Sequence, residues 1–313
     1  MSFAMVFPGQ GSQSVGMLST LGSERIVQAT FSEASAALGY DLWTLTQCGP
    51  AERLDATENT QPALLAASVA LWRLWRERGG TDPQAVAGHS LGEFSALVCA
   101  GALEFPAAVD LVRFRGQAMQ EAVPAGSGAM AAILGLEDAR VAEACREAAA
   151  GAVVEPVNFN APGQIVIAGD ADAVDRAVSA AKRLGAKRAV KLPVSVPAHS
   201  RLMHPAAERL AERLESTALR TPRLTYVSAV DAEPHADPAQ IRRLLVRQIE
   251  SPVRWQDTVR ALLGRGAGLI LECGPGKVLT GLNRRIDRRA DLECLALEEA
   301  ASLDAALSAS RVP

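Results

Sequence analysis

The stretch Gly88-His89-Ser90-Leu91-Gly92 puts one hydroxyl between two glycines. The apolar run Ala85, Val86, Ala87 precedes it, and the apolar pattern Phe94, Leu97, Val98 follows. A serine on a tight strand-to-helix turn is lifted from the end of a sheet and faces the unpaired N–H groups of a helix start, which favour developing negative charge. Glycines two places either side let strand and helix approach closely. Ser90 is therefore a candidate nucleophile. The same five residues also fit a turn in which the serine only caps the helix.

A serine hydroxyl is scarcely ionised near neutral pH, so attack requires a base within hydrogen-bond reach. The chain has four histidines. His89 adjoins Ser90, but neighbours on a sharp turn point apart, which makes it a packing residue. His204 falls early in a helical run, and His235 lies in AEPHADP, which reads as exposed loop. His199, in SVPAHSRLM, is the best base by elimination. Serine before histidine departs from the chain orders of chymotrypsin and subtilisin and leaves that of the α/β-hydrolases, where an acid stands between the two. Here the intervening acids are scattered, so a backbone or amide oxygen is an alternative group to orient the imidazole.

The elements that must hold these residues alternate in type. Strand-like runs at 3–7 and 85–89 are interleaved with helical patterns at 60–78, 91–100 and 105–122, the rhythm of an α/β sheet. Between 126 and 197 the order becomes β-α-β-β-α-β: strands at 129–134, 153–159, 164–169 and 187–195, helices at 138–149 and 171–184. Helical rhythm resumes after 199, with strands at 224–230 and 269–274. The expected fold class is α/β. An α/β-hydrolase-like catalytic domain with a parallel sheet (1–125 and 198–313) carries an inserted ferredoxin-like small α+β domain (126–197), joined through Gly126-Ser127-Gly128 and Pro193 to Pro197.

Composition narrows the function classes. The 313 residues are 49% hydrophobic and 21% charged with a net charge of −3, which is ordinary globular composition and gives no global reason for a nucleic-acid or anionic-membrane partner. Five widely separated cysteines (Cys48, Cys99, Cys145, Cys273, Cys294) form no C-x-x-C pair, so neither a disulfide framework nor a metal site is expected. The start MSFAMVFPGQGS has no basic lead and no long apolar region, which predicts a cytoplasmic location.

Eight motifs in order along nearly the whole chain give it a specific resemblance: FPGQGSQ (7–13), QPA within NTQPALLAASVALW (59–72), GHSLGE (88–93), RGQAMQ (115–120), NFNAPGQIVIAG (158–169), VPAHS (196–200), QIESPVRW (248–255) and ECGPGKVLTGL (272–282). With these the chain resembles the malonyl-CoA:acyl-carrier-protein transacylase family of bacterial type II fatty acid synthesis, relatives of the acyltransferase domains of polyketide synthases.

The resemblance implies Ser90 as acyl acceptor, His199 as base, and the backbone carbonyl of Gln248 in place of the missing acid. It also implies an oxyanion hole from the backbone N–H groups of Gln10 and Leu91. By pattern alone Arg113 and Arg115 are equivalent; the family motif R-G-x-x-M selects Arg115 to hold the malonyl carboxylate through its planar guanidinium. Asn158 and Asn160 are implied in the small-domain wall of the cleft, with Asn160 as a substrate contact. No metal or redox cofactor is implied, only malonyl-CoA and the phosphopantetheine carried by the acyl carrier protein, with the enzyme a monomer. That acidic partner would dock on Lys182, Arg183, Lys187, Arg188 and Lys191, or on Arg284, Arg285, Arg288 and Arg289 of the last helix.

Two positions depart from the family. Ala198 stands where a bulky aromatic accompanies malonyl selection, and Phe94 where tyrosine is common, so selection of the acyl group is expected to be looser. The alternatives are a malonate decarboxylase malonyltransferase subunit, a polyketide-pathway acyltransferase, a serine hydrolase and a non-catalytic scaffold.

Overall fold

The computed structural model describes residues 2–194 and 196–311. Among these residues ten strands run in chain order: β1 (Phe3–Phe7), β2 (Ala85–Gly88), β3 (Gly128–Leu134), β4 (Val154–Ala161), β5 (Gln164–Asp170), β6 (Arg188–Lys191), β7 (Thr225–Val227), β8 (Pro234–His235), β9 (Leu269–Glu272) and β10 (Glu293–Ala296). They form two sheets.

The larger sheet has the order β10-β9-β1-β2-β7-β8, parallel except for the edge strand β8, which runs antiparallel to β7. Strands β1 and β2, and β9 up to Glu272, are short apolar runs buried on both faces, as a parallel sheet covered by helices requires. The alternation of a strand divides β1 between two cores. Phe3, Met5 and Phe7 join the helices Arg25–Leu38, Thr57–Glu77 and Phe105–Glu121 on one face, while Ala4 and Val6 join Trp255, Val259 and Leu279 on the other. The middle of helix Thr57–Glu77, residues 63–71, is apolar on every side but Ser68 and buried throughout, with Leu64, Leu65 and Leu71 each under 1% exposed.

The four-stranded sheet takes residues 128–191 in the order β4-β5-β3-β6, every pair antiparallel. Helices Asp138–Ala149 and Ala171–Arg183 cover one face; the second presents Ala173, Val174, Ala177, Ala180 and Ala181 at helical spacing to Ile133, Ile165 and Ile167. Met130, Val157, Val166 and Ala168 on the other face meet Ala198, in the turn that carries His199. A direct tie joins the two sheets' surroundings: Phe159 N–H donates to the Val253 carbonyl at 2.9 Å, and Val253 N–H donates to the Val157 carbonyl at 2.8 Å.

Three expectations are corrected. The run 187–195 is a strand only at Arg188–Lys191, because pairing with β3 ends at Ala131; Ser195 lies outside the described residues. His235 is not in a loop but in β8, opposite Tyr226, with its Nε2 on the Asp231 carboxylate at 3.0 Å. Arg288 and Arg289 lie beyond helix Val278–Ile286, which is not the last, since helix Ala300–Ser310 follows β10.

Candidate active site

In a parallel sheet the carboxyl ends of the strands share one edge, and loops there converge on a site. The loop after β1 holds Gln10, the turn after β2 holds Ser90, and the segment after β7 holds Ser228 and Ala229.

Ser90 has φ = 53°, the left-handed conformation that a sharp strand-to-helix turn imposes and that few non-glycine residues adopt. Both flanking glycines are required by space. A Cβ on Gly88 would stand 1.9 Å from the Gly92 carbonyl carbon, and one on Gly92 would stand 2.0 Å from the Phe7 carbonyl oxygen. Strand and helix start are therefore in backbone contact, and the hydroxyl projects from between them.

His199 also has a left-handed backbone, at φ = 67°, fixed by its N–H donating to the Ile249 carbonyl at 3.0 Å. The ring is buried. Its Nδ1 lies 2.8 Å from the Gln248 carbonyl, which can only accept, so the proton is on Nδ1. That leaves the Nε2 lone pair facing Ser90 Oγ at 2.8 Å. Gln248 follows helix Pro238–Arg247 directly and opens the turn Gln248–Glu250, where a helix leaves carbonyls free for an outside donor. Burial and the neighbouring Arg115 cation push the imidazole down to about 3, so it is a neutral base across the physiological range.

Arg115 is 1% exposed on helix Phe105–Glu121. Its Nη1 donates to Gln61 Oε1 at 2.8 Å, and its Nη2 to Gln248 Oε1 at 2.9 Å and to Ser90 Oγ at 3.3 Å. The guanidinium lies 5.6 Å from the Phe94 ring centroid. Burial lowers its pKa to about 10, with Glu93 opposing, and the group keeps its charge at neutral pH. Arg113, its equal by pattern, points elsewhere and donates to the Leu38 carbonyl.

The N–H groups of Gln10 and Leu91 donate to no protein acceptor among the described residues. Asn160 is brought to the site, but against His89: the imidazole Nε2 lies 2.8 Å from Asn160 Oδ1, and the His89 ring lies 5.5 Å from that of Trp255. His204 is engaged elsewhere, its Nδ1 on Glu250 at 2.8 Å.

Two site residues escaped the sequence reading. Gln61, buried on helix Thr57–Glu77, anchors Arg115. Glu93 is fully buried in the turn after Ser90, where its carboxylate accepts from Ser228 Oγ at 3.0 Å, from Ala229 N–H and from Gln248 Nε2. Burial raises its pKa to about 7. The available signal was an acid that closes the GHSLGE motif, directly before the mostly apolar run FSALV.

The geometry combines a neutral base on a hydroxyl, two free N–H groups and a fixed cation. It suits transfer of an acyl group that carries its own negative charge.

Comparison with known proteins points the same way. Residues 4–292 match the acyl transferase domain family. The chain is 57% identical over 307 residues to a malonyl CoA-acyl carrier protein transacylase of Salmonella typhimurium, covering 98% of this chain and 99% of that one. It is 44% identical over 310 residues to the Bacillus subtilis protein of the same name, covering 97% and 96%. Among solved structures, a malonyl-transacylase in complex with its holo type II polyketide acyl-carrier protein superposes with a TM-score of 0.97 at 54% identity, covering 99% of this chain and 100% of that chain. The transacylase of Coxiella burnetii does so with 0.96 at 51%, covering 98% and 97%.

Proposed function

This chain belongs to the acyl transferase family and acts as a malonyl CoA-acyl carrier protein transacylase, and we propose that the transfer runs through a malonyl ester on Ser90. One observation carries this: Ser90 Oγ lies between the His199 Nε2 at 2.8 Å and the Arg115 Nη2 at 3.3 Å, a base on one side and a carboxylate-binding cation on the other.

Ser90 Oγ attacks the thioester carbonyl as its proton passes to His199 Nε2, and the Nδ1–H···O bond to Gln248 stabilises the imidazolium that forms. The oxyanion is received by the Gln10 and Leu91 N–H groups. Collapse breaks the C–S bond, and the coenzyme A thiolate leaves with the proton from His199. The phosphopantetheine thiol of the carrier then gives its proton to His199 and attacks the ester, Ser90 recovers its proton, and malonyl is again a thioester. Because one thioester replaces another, the site has to exclude water rather than drive an uphill step. Arg115 holds the malonyl carboxylate throughout, and no resident cofactor takes part.

The same proposal divides the chain into an α/β-hydrolase-like domain (1–125 and 198–313) and a ferredoxin-like insertion (126–197), supported by the serine turn after β2 and by the β-α-β-β-α-β order of the smaller sheet. A monomer in the cytoplasm belongs with it; among the described residues no helix is long and apolar enough to cross a membrane. Of the basic residues, Lys182, Lys187, Arg188, Arg284, Arg285 and Arg288 form no salt bridge among the described residues, although Arg284 donates to the Cys294 carbonyl and Arg285 to Gln164 Oε1. They are free to meet an acidic carrier, whereas Arg183 pairs with Glu147 and Lys191 with Asp175. The likeness to a polyketide malonyl-transacylase supports a second carrier class.

Intact-protein mass after brief exposure to malonyl-CoA tests the chemistry. Wild type should gain one malonyl group and Ser90→Ala none, and the label should pass to holo acyl carrier protein. Release to water with no transfer would indicate a hydrolase. Fatty-acid and polyketide carriers compared side by side distinguish the two pathways.

A further inference from the structure

Glu93 takes no part in the steps above, yet its fully buried carboxylate sits at the centre of the network that connects them. Gln248 supplies its backbone carbonyl to His199, while its side-chain amide does separate work. The amide Nε2 donates to the Ser90 carbonyl at 3.0 Å and to Glu93 Oε2, and its Oε1 accepts from Arg115 Nη2 at 2.9 Å. A guanidinium can only donate and a backbone carbonyl can only accept, and the Glu93 carboxyl, which burial raises to about 7, accepts at both oxygens in its ionised form, which prevails above neutral pH. The amide can satisfy all three in one orientation alone.

We propose that Glu93 is a positioning residue for malonyl selection: its carboxylate fixes the orientation of the Gln248 amide, and the amide oxygen in turn fixes the Arg115 guanidinium that receives the malonyl carboxylate. This rests on the transfer through Ser90 and Arg115 proposed above. The carboxylate has no freedom to turn away, because Ala229 N–H and Ser228 Oγ bind its other oxygen. Any group in its place must present acceptors in two directions.

Glu93→Gln keeps the shape and has only one oxygen. If that oxygen meets Ala229 N–H, the new NH2 faces Gln248 Nε2, donor against donor. Gln248 then either keeps its bonds to the Ser90 carbonyl and Arg115 against an opposed NH2, or turns and brings its own NH2 against Arg115. If the oxygen meets Gln248 instead, the conflict moves to Ala229 N–H. Glu93→Asp has the opposite character: it retains two acceptor oxygens and loses a methylene of volume. A residue that merely filled space would tolerate Gln better than Asp. A residue that sets polarity would tolerate Asp better than Gln.

The test is the single-turnover rate of Ser90 acylation from malonyl-CoA and from acetyl-CoA, followed by intact mass for wild type, E93Q and E93D. E93Q should lower the malonyl-to-acetyl rate ratio by about tenfold or more, mostly through a weaker malonyl-CoA half-saturation, with E93D keeping more of the ratio than E93Q. An unchanged ratio in E93Q, equal loss for both acyl groups, or a larger loss of ratio in E93D overturns the proposal. If E93Q does not fold, Gln248→Met takes its place, removing the amide while leaving the backbone carbonyl on His199. The ratio should fall in that variant, and an unchanged ratio overturns the proposal. Failure of wild type itself to acylate Ser90 would instead overturn the transfer mechanism.

Discussion

Arg115 donates from Nη2 to the Oγ of Ser90 at 3.3 Å, so the cation stands one hydroxyl away from the base that must take the serine's proton. In the proposed mechanism the charge that attracts a malonyl carboxylate also adds to the burial that suppresses His199, and a carboxylate bound to Arg115 would relieve that added part. A neutral acyl group brings no such relief.

Arg115→Gln should reverse both effects. Loss of two charge-assisted hydrogen bonds, about 1.5–3 kcal/mol each, predicts malonylation of Ser90 slower by about a hundredfold or more. Acetylation should be unchanged or faster, because the imidazole regains basicity. A parallel loss for both acyl groups in rapid-quench measurements would refute this role for the cation.

The depressed His199 predicts how stability varies with pH. Its ordinary value of 6.5 applies in the unfolded chain and about 3 in the folded one, so acid protonates the unfolded state first. The associated stability is fully present above pH 6.5 and is lost as pH falls toward 3. Between pH 7 and 5 wild type should lose about 2 kcal/mol more than His199→Asn, at about 1.4 kcal/mol per unit below 6.5. Asparagine tolerates the left-handed backbone at this position. Urea melts of both proteins at the two pH values provide the check, and equal slopes would remove His199 as the cause.

The glycines of the chain separate into those that need the absence of a side chain and those that do not. A Cβ on Gly88 would collide with the backbone of Gly92, whereas one on Gly281, in helix Val278–Ile286, would meet nothing within 4 Å. Gly88→Ala should destabilise by about 3 kcal/mol. Gly281→Ala should stabilise by about 0.5–1 kcal/mol by removing unfolded-state freedom. Thermal melts of the two variants would read opposite signs, and a neutral Gly88→Ala would mean that strand and helix are not in contact at the serine turn.

What could be read from the sequence follows from how locally each feature is encoded. Ser90 between its glycines, and the alternation of strands and helices, are written in a few adjacent residues. Arg115 and Gln248 are single polar residues in helical patterns; only the family motifs separate them from Arg113 and from an ordinary helix end. Glu93 and Gln61 stand inside quoted motifs, yet their roles were not legible because each acts across a long separation, Glu93 on Gln248 over 155 residues and Gln61 on Arg115 over 54. An acid in the first turn of a helix also has an ordinary role, complementing the helix dipole, which conceals any other. His235 was misassigned because its strand consists of only two residues and exists through Tyr226 and Val227 alone.

Asn160 joins the site by contact with His89, which sets a prediction against its implied role as a substrate contact. The asparagine oxygen accepts from His89 Nε2 at 2.8 Å, and burial holds that imidazole neutral against the Trp255 ring. Asn160→Ala leaves the imidazole N–H without an acceptor in a largely buried place, which should lower stability by about 1–3 kcal/mol. Because His89 directly precedes Ser90, the acylation rate should fall with it, while half-saturation by malonyl-CoA stays within about twofold if no substrate bond is lost. A direct contact with malonyl-CoA predicts the reverse, a higher half-saturation at unchanged stability. Chemical denaturation and acylation kinetics on the one variant decide between a brace for the serine turn and a wall of the substrate cleft.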